Sequence, residues 1–351
     1  MTLTWASGLS VAAVSTTRTS RQVLLAHRPQ GTPVPADFRL VEVDVPPLTE
    51  GQVLVRNTYL ALSAAMRTLM SDEDVPLPMY RVGEVLHGPA LGEVVASTDP
   101  GFAPGDLVRH RSGWREHAWG PASGFLRLDP DLYPDPVAHL SSGLTAYAGL
   151  IAAGRLAAGE TVLVTSAAGS VGSVAGQLAR LLGAGRVIGT VGSAAKADYA
   201  TGVLGYDQAL DYRRGPIGDA LGAAAPDGVD VVFDNVGGAQ LRAAVHAARP
   251  RARIVICGAL AHQAAHEPAS LTVDTMAVAG KRLTVTGFTA ADHPGLAAEW
   301  PARFAAWLRD GSMHLAHTRL DGLDSAVPGL LDLLAGRHTG LVVVDLRNAY
   351  H

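Results

Sequence analysis

The sequence predicts an α/β protein that combines a β-rich N-terminal part with a doubly wound parallel sheet. Three observations carry this prediction. Short strand candidates separated by Gly and Pro fill the chain from Gln22 to Leu128, strands and helices alternate from Thr161 to Phe288, and a small-residue turn joins the first of these strands to its helix. Many short strands indicate a barrel or sandwich, whereas regular alternation indicates a parallel sheet with crossover helices.

In the β-rich part, short runs of apolar and β-branched residues end at Gly or Pro, which predicts strands bounded by turns. The predicted strands are 22–26, 38–45, 52–61, 81–86, 91–97, 107–111 and 125–128. From position 139 the chain becomes small, apolar and helical, so we expect a domain boundary there.

In the alternating part, apolar β-branched runs predict buried parallel strands, and apolar residues at helical spacing predict the helices between them. The predicted strands are 161–165, 186–191, 208–211, 230–234, 253–257 and 282–288, and the predicted helices are 139–153, 170–183, 194–204, 237–249 and 267–279. The C-terminal tail adds a helix over 295–310, a strand over 315–319, a helix over 322–336 and a last strand over 341–345.

The turn from Ser166 to Gly172 lies between the first strand of this part and its helix. A dinucleotide pyrophosphate binds such a turn through backbone N–H groups at the helix N-terminus, so small residues are needed at the positions of close approach. The three positions that are usually glycine are Ala167, Gly169 and Gly172, so the string alone is a weak signal. The strand before it and the helix after it favour a dinucleotide site. A glycine-rich turn that packs a helix on a sheet without a ligand is the alternative.

The end of the second parallel strand favours NADPH over NADH. An NAD site usually has Asp or Glu there to bind the ribose hydroxyls. This chain has Thr190-Val191-Gly192-Ser193 and then Lys196, one of only two lysines. A hydroxyl and a lysine suit a 2′-phosphate, which a carboxylate would repel. A solvated lysine early in the next helix is the alternative.

Composition excludes several other classes of protein. The 351 residues carry a formal net charge of −4 and no basic stripe, so no nucleic-acid partner is expected. No apolar run is long enough to cross a bilayer and no signal peptide is visible, so residues 1–20 are interpreted as a mobile tail of a cytoplasmic protein. Cys257 is the only cysteine, which excludes a disulfide within the chain and a structural zinc site, and the scattered histidines give no metal-ligand pattern.

Several short motifs occur in an order that is typical of one family. They are Tyr59-Leu60-Ala61-Leu62-Ser63, Met66-Arg67, Gly83-Glu84-Val85, Gly92-Glu93-Val94-Val95, Gly113-Trp114, Gly143-Leu144-Thr145-Ala146-Tyr147, the turn itself, Asp234-Asn235-Val236-Gly237-Gly238 and Cys257-Gly258. The ordered set resembles the zinc-independent medium-chain dehydrogenase/reductases. It is most similar to their branch of prostaglandin and leukotriene reductases, alkenal double-bond reductases and curcumin reductase-like enzymes.

The resemblance implies a GroES-like substrate and catalytic domain formed by residues 21–138 plus 312–351, with a Rossmann NADP-binding domain over 139–311 inserted in it. It also implies a homodimer whose sheets meet near 283–288. The implied reaction is NADPH-dependent reduction of the carbon–carbon double bond of an α,β-unsaturated carbonyl compound, by hydride transfer to the β-carbon and protonation of the α-carbon.

The resemblance also assigns site residues. It places Ala167, Gly169, Ser170, Val171 and Gly172 at the pyrophosphate, Ser193, Lys196 and Tyr212 around the 2′-phosphate, and Thr145, Asn235, Gly258, Phe288 and His338 elsewhere along the cofactor. It places Tyr59, Ala65, Met66 and Tyr80 around the substrate. Simpler interpretations exist for three of these: Tyr212 as a turn residue, Asn235 as a turn former and Met66 as core packing.

The chain departs from the family pattern where the substrate should lie. Relatives commonly have Tyr where this chain has Ala65, and a second pocket Tyr aligns with Gln263. Both changes enlarge the pocket and leave the proton donor open. Gln263 could orient an oxyanion but cannot supply a proton, whereas His262 could do both, and water is a third donor.

Other functions share the same cofactor site. A zinc-free quinone oxidoreductase or an alcohol dehydrogenase of the same superfamily is the nearest alternative, although the missing zinc ligands weigh against the alcohol route. An NADPH-binding protein with altered or lost catalysis is a further alternative, which the lost tyrosines favour. A role in secondary metabolism would suit the altered pocket.

Overall fold

The computed structural model describes residues 18–72, 77–265 and 274–350. Its strands are β1 (Thr19–Leu25), β2 (Phe38–Asp44), β3 (Gln52–Leu62), β4 (Ala90–Ser97), β5 (Leu107–His110), β6 (His117–Pro121), β7 (Phe125–Arg127), β8 (Thr161–Val164), β9 (Arg186–Val191), β10 (Gln208–Asp211), β11 (Val229–Asp234), β12 (Ala248–Ile256), β13 (Thr284–Gly287), β14 (His317–Asp321) and β15 (Leu341–Asp345). Its helices are α1 (Ala65–Leu69), α2 (Gly143–Ala148), α3 (Gly172–Leu181), α4 (Ala194–Gly202), α5 (Ile217–Ala224), α6 (Gly238–Ala247), α7 (Leu260–Ala265), α8 (Thr275–Lys281), α9 (Pro294–Arg309) and α10 (Ala326–Leu334).

The β-rich part is one seven-stranded sheet that uses both ends of the chain. Its order is β14-β15-β3-β4-β5-β7, with β6 also paired to β3, and β1 and β2 form a separate antiparallel pair. The C-terminal strand β15 runs antiparallel to β3, with Val342 opposite Leu62. The last described strands therefore complete a sheet that begins with β3 in the N-terminal part of the chain.

The second sheet has six parallel strands in the order β10-β9-β8-β11-β12-β13. Counted from β8 this is the 3-2-1-4-5-6 order of a doubly wound dinucleotide-binding sheet, whose ligand lies beyond the carboxyl ends of the strands where the order reverses. The turn after β8 lies at that point. The predicted α/β fold class is confirmed.

Helix α3 packs tightly on this sheet because a glycine faces an aromatic ring. A Cβ at Gly176 would lie 2.1 Å from the Tyr206 ring. The Tyr206 hydroxyl donates to Gly172 O at 2.7 Å, which ties the first residue of α3 to the core. Val174 and Leu178 are buried on the same face of the helix.

Three local predictions were wrong. The predicted strand 81–86 is a turn in which Gly83 has a φ of +85° and only Val85 makes an isolated bridge, to Leu24. The predicted helix 139–153 is divided into a 3-10 turn at Pro136–Leu140, helix α2 and a π-helical turn at Gly149–Ala153. The predicted tail 1–20 ends too late, since Thr19 and Ser20 already pair in β1; residues 1–17 lie outside the described residues.

Several short helices had no predicted counterpart, because each has too few turns to show a helical period. They are α1, α5 and α7. Part of the predicted helix 267–279 lies outside the described residues, and the described part is α8.

Within the described residues, no helix has both the length and the apolar composition needed to span a bilayer.

Candidate cofactor and active site

The turn after β8 is held in a strained but well-bonded conformation. Ser166 has a φ of +54°, and its carbonyl accepts from Gly169 N at 2.9 Å. Ala167 is fully buried and points away from the cleft, toward β9, where a Cβ at Gly189 would lie 2.5 Å from the Ala167 methyl. The alanine at the first glycine position therefore fits because β9 has a glycine opposite it.

Gly172 is required by a close backbone approach. A Cβ there would lie 2.1 Å from Ser166 O, which is a backbone atom that cannot move independently of the turn. Within the described part of the chain, the backbone N–H groups of Ser170, Val171 and Gly172 have no hydrogen-bond acceptor. These N–H groups lie at the N-terminus of α3, where the helix dipole also favours an anion.

A cleft of about 590 Å³ extends from this turn along the carboxyl ends of the strands. Lys196, Arg213 and Arg242 line it, and none of the described residues that line it is Asp or Glu. Among the described residues, no carboxylate forms a salt bridge with any of these three side chains. Such a cleft is electrostatically suited to a ligand with several phosphate charges.

Two of the three residues predicted at the 2′-phosphate, Lys196 and Tyr212, line this cleft, and the third, Ser193, is hydrogen-bonded to Lys196. Ser193 caps α4 by accepting from Lys196 N at 3.3 Å. Lys196 Nζ donates to Gly336 O at 2.8 Å, and the Tyr212 hydroxyl lies 3.0 Å from where a Cβ of Gly192 would be. Burial, together with the nearby charge of Arg213, lowers the pKa of Lys196.

A buried hydrogen-bond network supports the floor of the cleft after β11. Thr165 Oγ1 donates to Asp234 Oδ1 at 2.8 Å and accepts from Asn235 N at 2.8 Å. Asn235 Nδ2 donates to Thr165 O at 2.7 Å, and a Cβ at Gly258 would lie 2.9 Å from Asn235 O. Burial raises the pKa of Asp234, although hydrogen bonds from Thr165, Gly237 and Val236 act in the opposite direction. The network brings Asn235 and Gly258 together.

Phe288, predicted along the cofactor, and Met66, predicted at the substrate, belong to two different apolar clusters, and Thr145 lies in α2. Phe288 packs edge-on to Phe233, with 6.3 Å between ring centroids, in the core of the parallel sheet. Thr145 lies in α2, whose start contacts the glycine turn through a hydrogen bond of 3.2 Å between the Ser142 and Ser170 hydroxyls. Met66 is buried in the β-rich part, where its Cε lies 2.7 Å from where a Cβ of Gly88 would be.

The predicted substrate-lining residues do not all lie together. Tyr80 shares the apolar cluster of Met66 and donates its hydroxyl to His87 O at 2.6 Å, and burial raises its pKa. Ala65 is exposed at the start of α1. Tyr59 lies on the opposite face of β3, in a cluster with Leu91 and Val343 and beneath the guanidinium groups of Arg319 and Arg347.

Helix α7 borders both the cofactor cleft and a second, smaller pocket. Leu260 and Ala261 line the cleft, whereas the predicted catalytic residues His262 and Gln263 line a polar pocket of about 250 Å³. Gln263 Nε2 donates to Thr68 Oγ1 of α1 at 3.3 Å. The same pocket is lined by Arg28 and Arg67, which sequence reasoning did not predict.

The loop between α10 and β15 closes the cleft from the side of the β-rich part. Leu334 and Gly336 line it, and Gly340 N donates to Ala168 O in the glycine turn at 2.8 Å. His338 lies in this loop; its Nε2 is buried without a partner among the described residues, and burial lowers its pKa.

Comparison with known proteins is consistent with this geometry. Residues 21–128 match a family described as the N-terminal domain of oxidoreductase, and residues 170–309 match one described as zinc-binding dehydrogenase. The "NADPH-dependent curcumin reductase" of Escherichia coli is 36% identical, covering 93% of this chain and 96% of its own. The "Prostaglandin reductase 1" of Bos taurus is 32% identical, covering 90% of this chain and 95% of its own. The solved structure of CurA from Vibrio vulnificus superposes with a TM-score of 0.86 at 32% identity, covering 93% of this chain and 99% of that one.

The chain belongs to the zinc-independent medium-chain dehydrogenase/reductases. The predicted family is therefore confirmed, as is NADPH as the cofactor of an oxidoreductase of this branch. CurA from Vibrio vulnificus has also been solved in complex with NADPH, at a TM-score of 0.85 and 30% identity. Although one matching family is described as zinc-binding, the described residues of this reductase contain no group of three or more His, Cys, Asp or Glu that could hold a metal ion.

The residues of this reductase fit NADPH by their own geometry. Among the described residues, the N–H groups at the start of α3 have no acceptor and the cations of the cleft have no salt bridge. Together with the close backbone approach at Gly172, these features match a pyrophosphate and a 2′-phosphate. Sequence reasoning missed Arg213 and Arg242. Arg213 follows Tyr212 directly, so its position was a usable signal, whereas Arg242 reaches the cleft only because α6 begins at the same sheet edge.

Proposed function

We propose that this reductase uses NADPH to reduce the carbon–carbon double bond of an α,β-unsaturated carbonyl compound. The cleft carries this proposal, since it joins a small-residue turn to three cations and has no acidic residue among its described lining. Relatives whose names specify reductase activity include the (+)-pulegone reductase of Mentha piperita, at 29% identity, and a 2-alkenal reductase of Nicotiana tabacum, at 30% identity.

Residues of the chain bind the two ends of the cofactor differently. The N–H groups of Ser170, Val171 and Gly172 bind the pyrophosphate, and Lys196 with Tyr212 binds the 2′-phosphate. The backbone at Asn235 and Gly258 forms one wall of the nicotinamide site, since the Thr165 hydrogen bonds fix its position. NADPH supplies a hydride when it is bound.

Positioning provides most of the catalysis in this proposal. When the hydride donor and the acceptor are already held in reacting geometry, the entropy cost of bringing them together no longer adds to the activation barrier. The loop that carries Gly336 and His338 excludes water from the cofactor side, because it contacts both Lys196 and the glycine turn. A dry site strengthens every hydrogen bond to charge that develops on the substrate oxygen.

His262 and Gln263 form the substrate end of the site in this proposal. Gln263 is held by Thr68 and orients the carbonyl oxygen of the substrate, while His262 delivers a proton to the α-carbon. The pocket they line is polar, so water is the competing proton source. The substitution of His262 described in the Discussion separates these two sources.

We also propose a homodimer formed through β13, and a cytoplasmic location. Among the strands that the structure describes, β13 pairs only with β12 and therefore lies at an edge of the sheet, and its Val285 side chain is 44% exposed. Met276 on α8, the helix that precedes β13, is also an exposed apolar side chain, at 78%. Pairing with a second copy would cover an edge that otherwise favours aggregation.

The domain boundaries that we propose are 21–138 plus 312–351 for the GroES-like domain and 139–311 for the Rossmann domain.

An isotope experiment tests the proposed reaction. The purified protein is mixed with NADPH deuterated at C4 and with an enone, an alkenal or a quinone, and the products are examined by NMR. We expect deuterium at the β-carbon of the enone or the alkenal. Oxidation of NADPH by the quinone alone would instead assign a quinone oxidoreductase, and binding of NADPH without oxidation by any acceptor would assign a protein without this catalysis.

A further inference from the structure

Gln240 is a buried polar side chain that the proposed mechanism does not use. It lies in the first turn of α6, is only 8% exposed, and contributes to the lining of the cofactor cleft. Glutamine is costly to bury because its amide has both donor and acceptor groups to satisfy. Its presence at this position therefore calls for a partner.

A chain of two hydrogen bonds determines which end of the Gln240 amide faces the cleft. Ser166 N donates to Thr190 Oγ1 at 3.2 Å, and the Thr190 hydroxyl donates to Gln240 Oε1 at 2.5 Å. Among the described residues, Gln240 Oε1 is the one acceptor of the Thr190 hydroxyl proton, so the amide has Oε1 toward Thr190 and Nε2 facing the other way. No acceptor for Gln240 Nε2 exists among the described residues.

Gln177 shows what a satisfied buried glutamine looks like in the same domain. It is 7% exposed. Its Nε2 donates to Ser173 O at 2.7 Å and to His314 O at 3.0 Å, while its Oε1 accepts from His314 N at 2.7 Å. Both ends of Gln177 are paired within the protein, whereas the amino end of Gln240 is left for a ligand.

The position of Thr190 identifies that ligand. Thr190 precedes Val191 and Gly192 at the carboxyl end of β9, which is where a doubly wound sheet binds the adenosine ribose, usually through Asp or Glu. This chain has no acid there. We propose that Gln240 replaces the acid, by donating a hydrogen bond from Nε2 to the adenosine ribose of the cofactor. The inference rests on the NADPH site of the proposed function.

A neutral amide has an electrostatic advantage at this position. Lys196, Arg213 and Arg242 line the same cleft and attract a 2′-phosphate. A carboxylate at the ribose would reduce that attraction and repel the phosphate directly. Gln240 therefore binds the ribose without opposing selection of the phosphorylated cofactor.

The test measures affinity of the full-length protein for NADPH and NADH by calorimetry, without substrate. Gln240→Leu is expected to weaken binding of both cofactors about fivefold, since both carry the ribose and a neutral hydrogen bond is lost. Gln240→Glu is expected to shift the ratio of NADPH to NADH affinity toward NADH by about tenfold or more. Gln177→Leu is the matched control, which lowers the melting temperature but leaves both affinities unchanged.

Thr190→Val tests the orienting role. It is expected to weaken binding of both cofactors in the wild-type background and to have a smaller effect in the Gln240→Leu background, where only the hydrogen bond from Ser166 N is lost. Unchanged affinities in Gln240→Leu would overturn the proposal. Weaker binding of NADPH alone would also overturn it, because the contact of Gln240 would then be with the 2′-phosphate and not with the ribose. If wild-type protein binds neither cofactor, the proposed function fails first, so the two failures are distinguishable.

Discussion

Replacing Lys196 with alanine should selectively weaken NADPH. The side chain is half-buried at one end of the cleft, where Nζ donates to Gly336 O at 2.8 Å. A charge-assisted hydrogen bond to the 2′-phosphate contributes about 1.5–3 kcal/mol, and giving up the bond to Gly336 costs roughly 1 kcal/mol of this. The net loss in Lys196→Ala is therefore about 0.5–2 kcal/mol, or roughly a 2- to 30-fold rise in Kd for NADPH.

NADH lacks the 2′-phosphate, so its affinity should change less than about twofold in the same variant. Lys281→Ala is the matched control, since Lys281 is the other lysine of the chain and donates to Val245 O, His246 O and Ala248 O outside the cleft. Fluorescence titrations with both cofactors at low and high salt provide the measurement. Because salt screens the charges, the difference between the affinities for NADPH and NADH should be smaller at high salt. Equal weakening of NADPH and NADH would refute the assignment of Lys196 to the phosphate.

Three further predictions follow from the same geometry. Gly172→Ala should destabilise the fold by about 1–3 kcal/mol and weaken NADPH, because the new Cβ would meet Ser166 O, whereas Gly202→Ala in α4, with nothing within 4 Å of its Cβ, should be neutral or stabilising in thermal melts. His262→Gln should lower kcat about tenfold or more with an enone and change its pH profile, and an unchanged kcat would assign the proton to water. Burial, aided by Arg115, lowers the pKa of His110 to about 3, so folding stability is fully present above the unfolded pKa of about 6.5 and falls by up to about 1.4 kcal/mol per pH unit below it. In His110→Leu, the slope of the unfolding free energy against pH, measured by urea unfolding at several pH values, should correspond to about one proton fewer taken up on unfolding. An unchanged slope would show that His110 does not cause the pH dependence.

The sequence predicted long, periodic elements well and short ones poorly. The parallel strands were found because β-branched runs such as 186–191 are buried on both faces and carry a strong signal. The run 81–86 also contains valine and leucine, but Gly83 adopts a left-handed conformation and the chain turns instead of pairing. Helices α1 and α7, which bound the pocket of His262 and Gln263, are too short to show a period.

The cofactor site was more predictable than the substrate site for a physical reason. The pyrophosphate turn is local, so Gly169 and Gly172 lie within one strand–turn–helix–strand unit, and Lys196 follows shortly after it in α4. The substrate end depends on contacts between distant segments, such as the hydrogen bond from Gln263 to Thr68. Tyr59 illustrates the difficulty, because a shift of one position along β3 transfers a side chain to the opposite face of the sheet. Gln240 was missed because only the fold brings it to Thr190.

Calorimetric titration of the wild-type protein with NADPH and with NADH tests most directly whether the turn after β8 and the cationic cleft form a phosphorylated-dinucleotide site. We expect saturable binding of one NADPH per chain, distinctly tighter than that of NADH. No saturable heat with NADPH, or equal affinity for the two cofactors, would contradict this account.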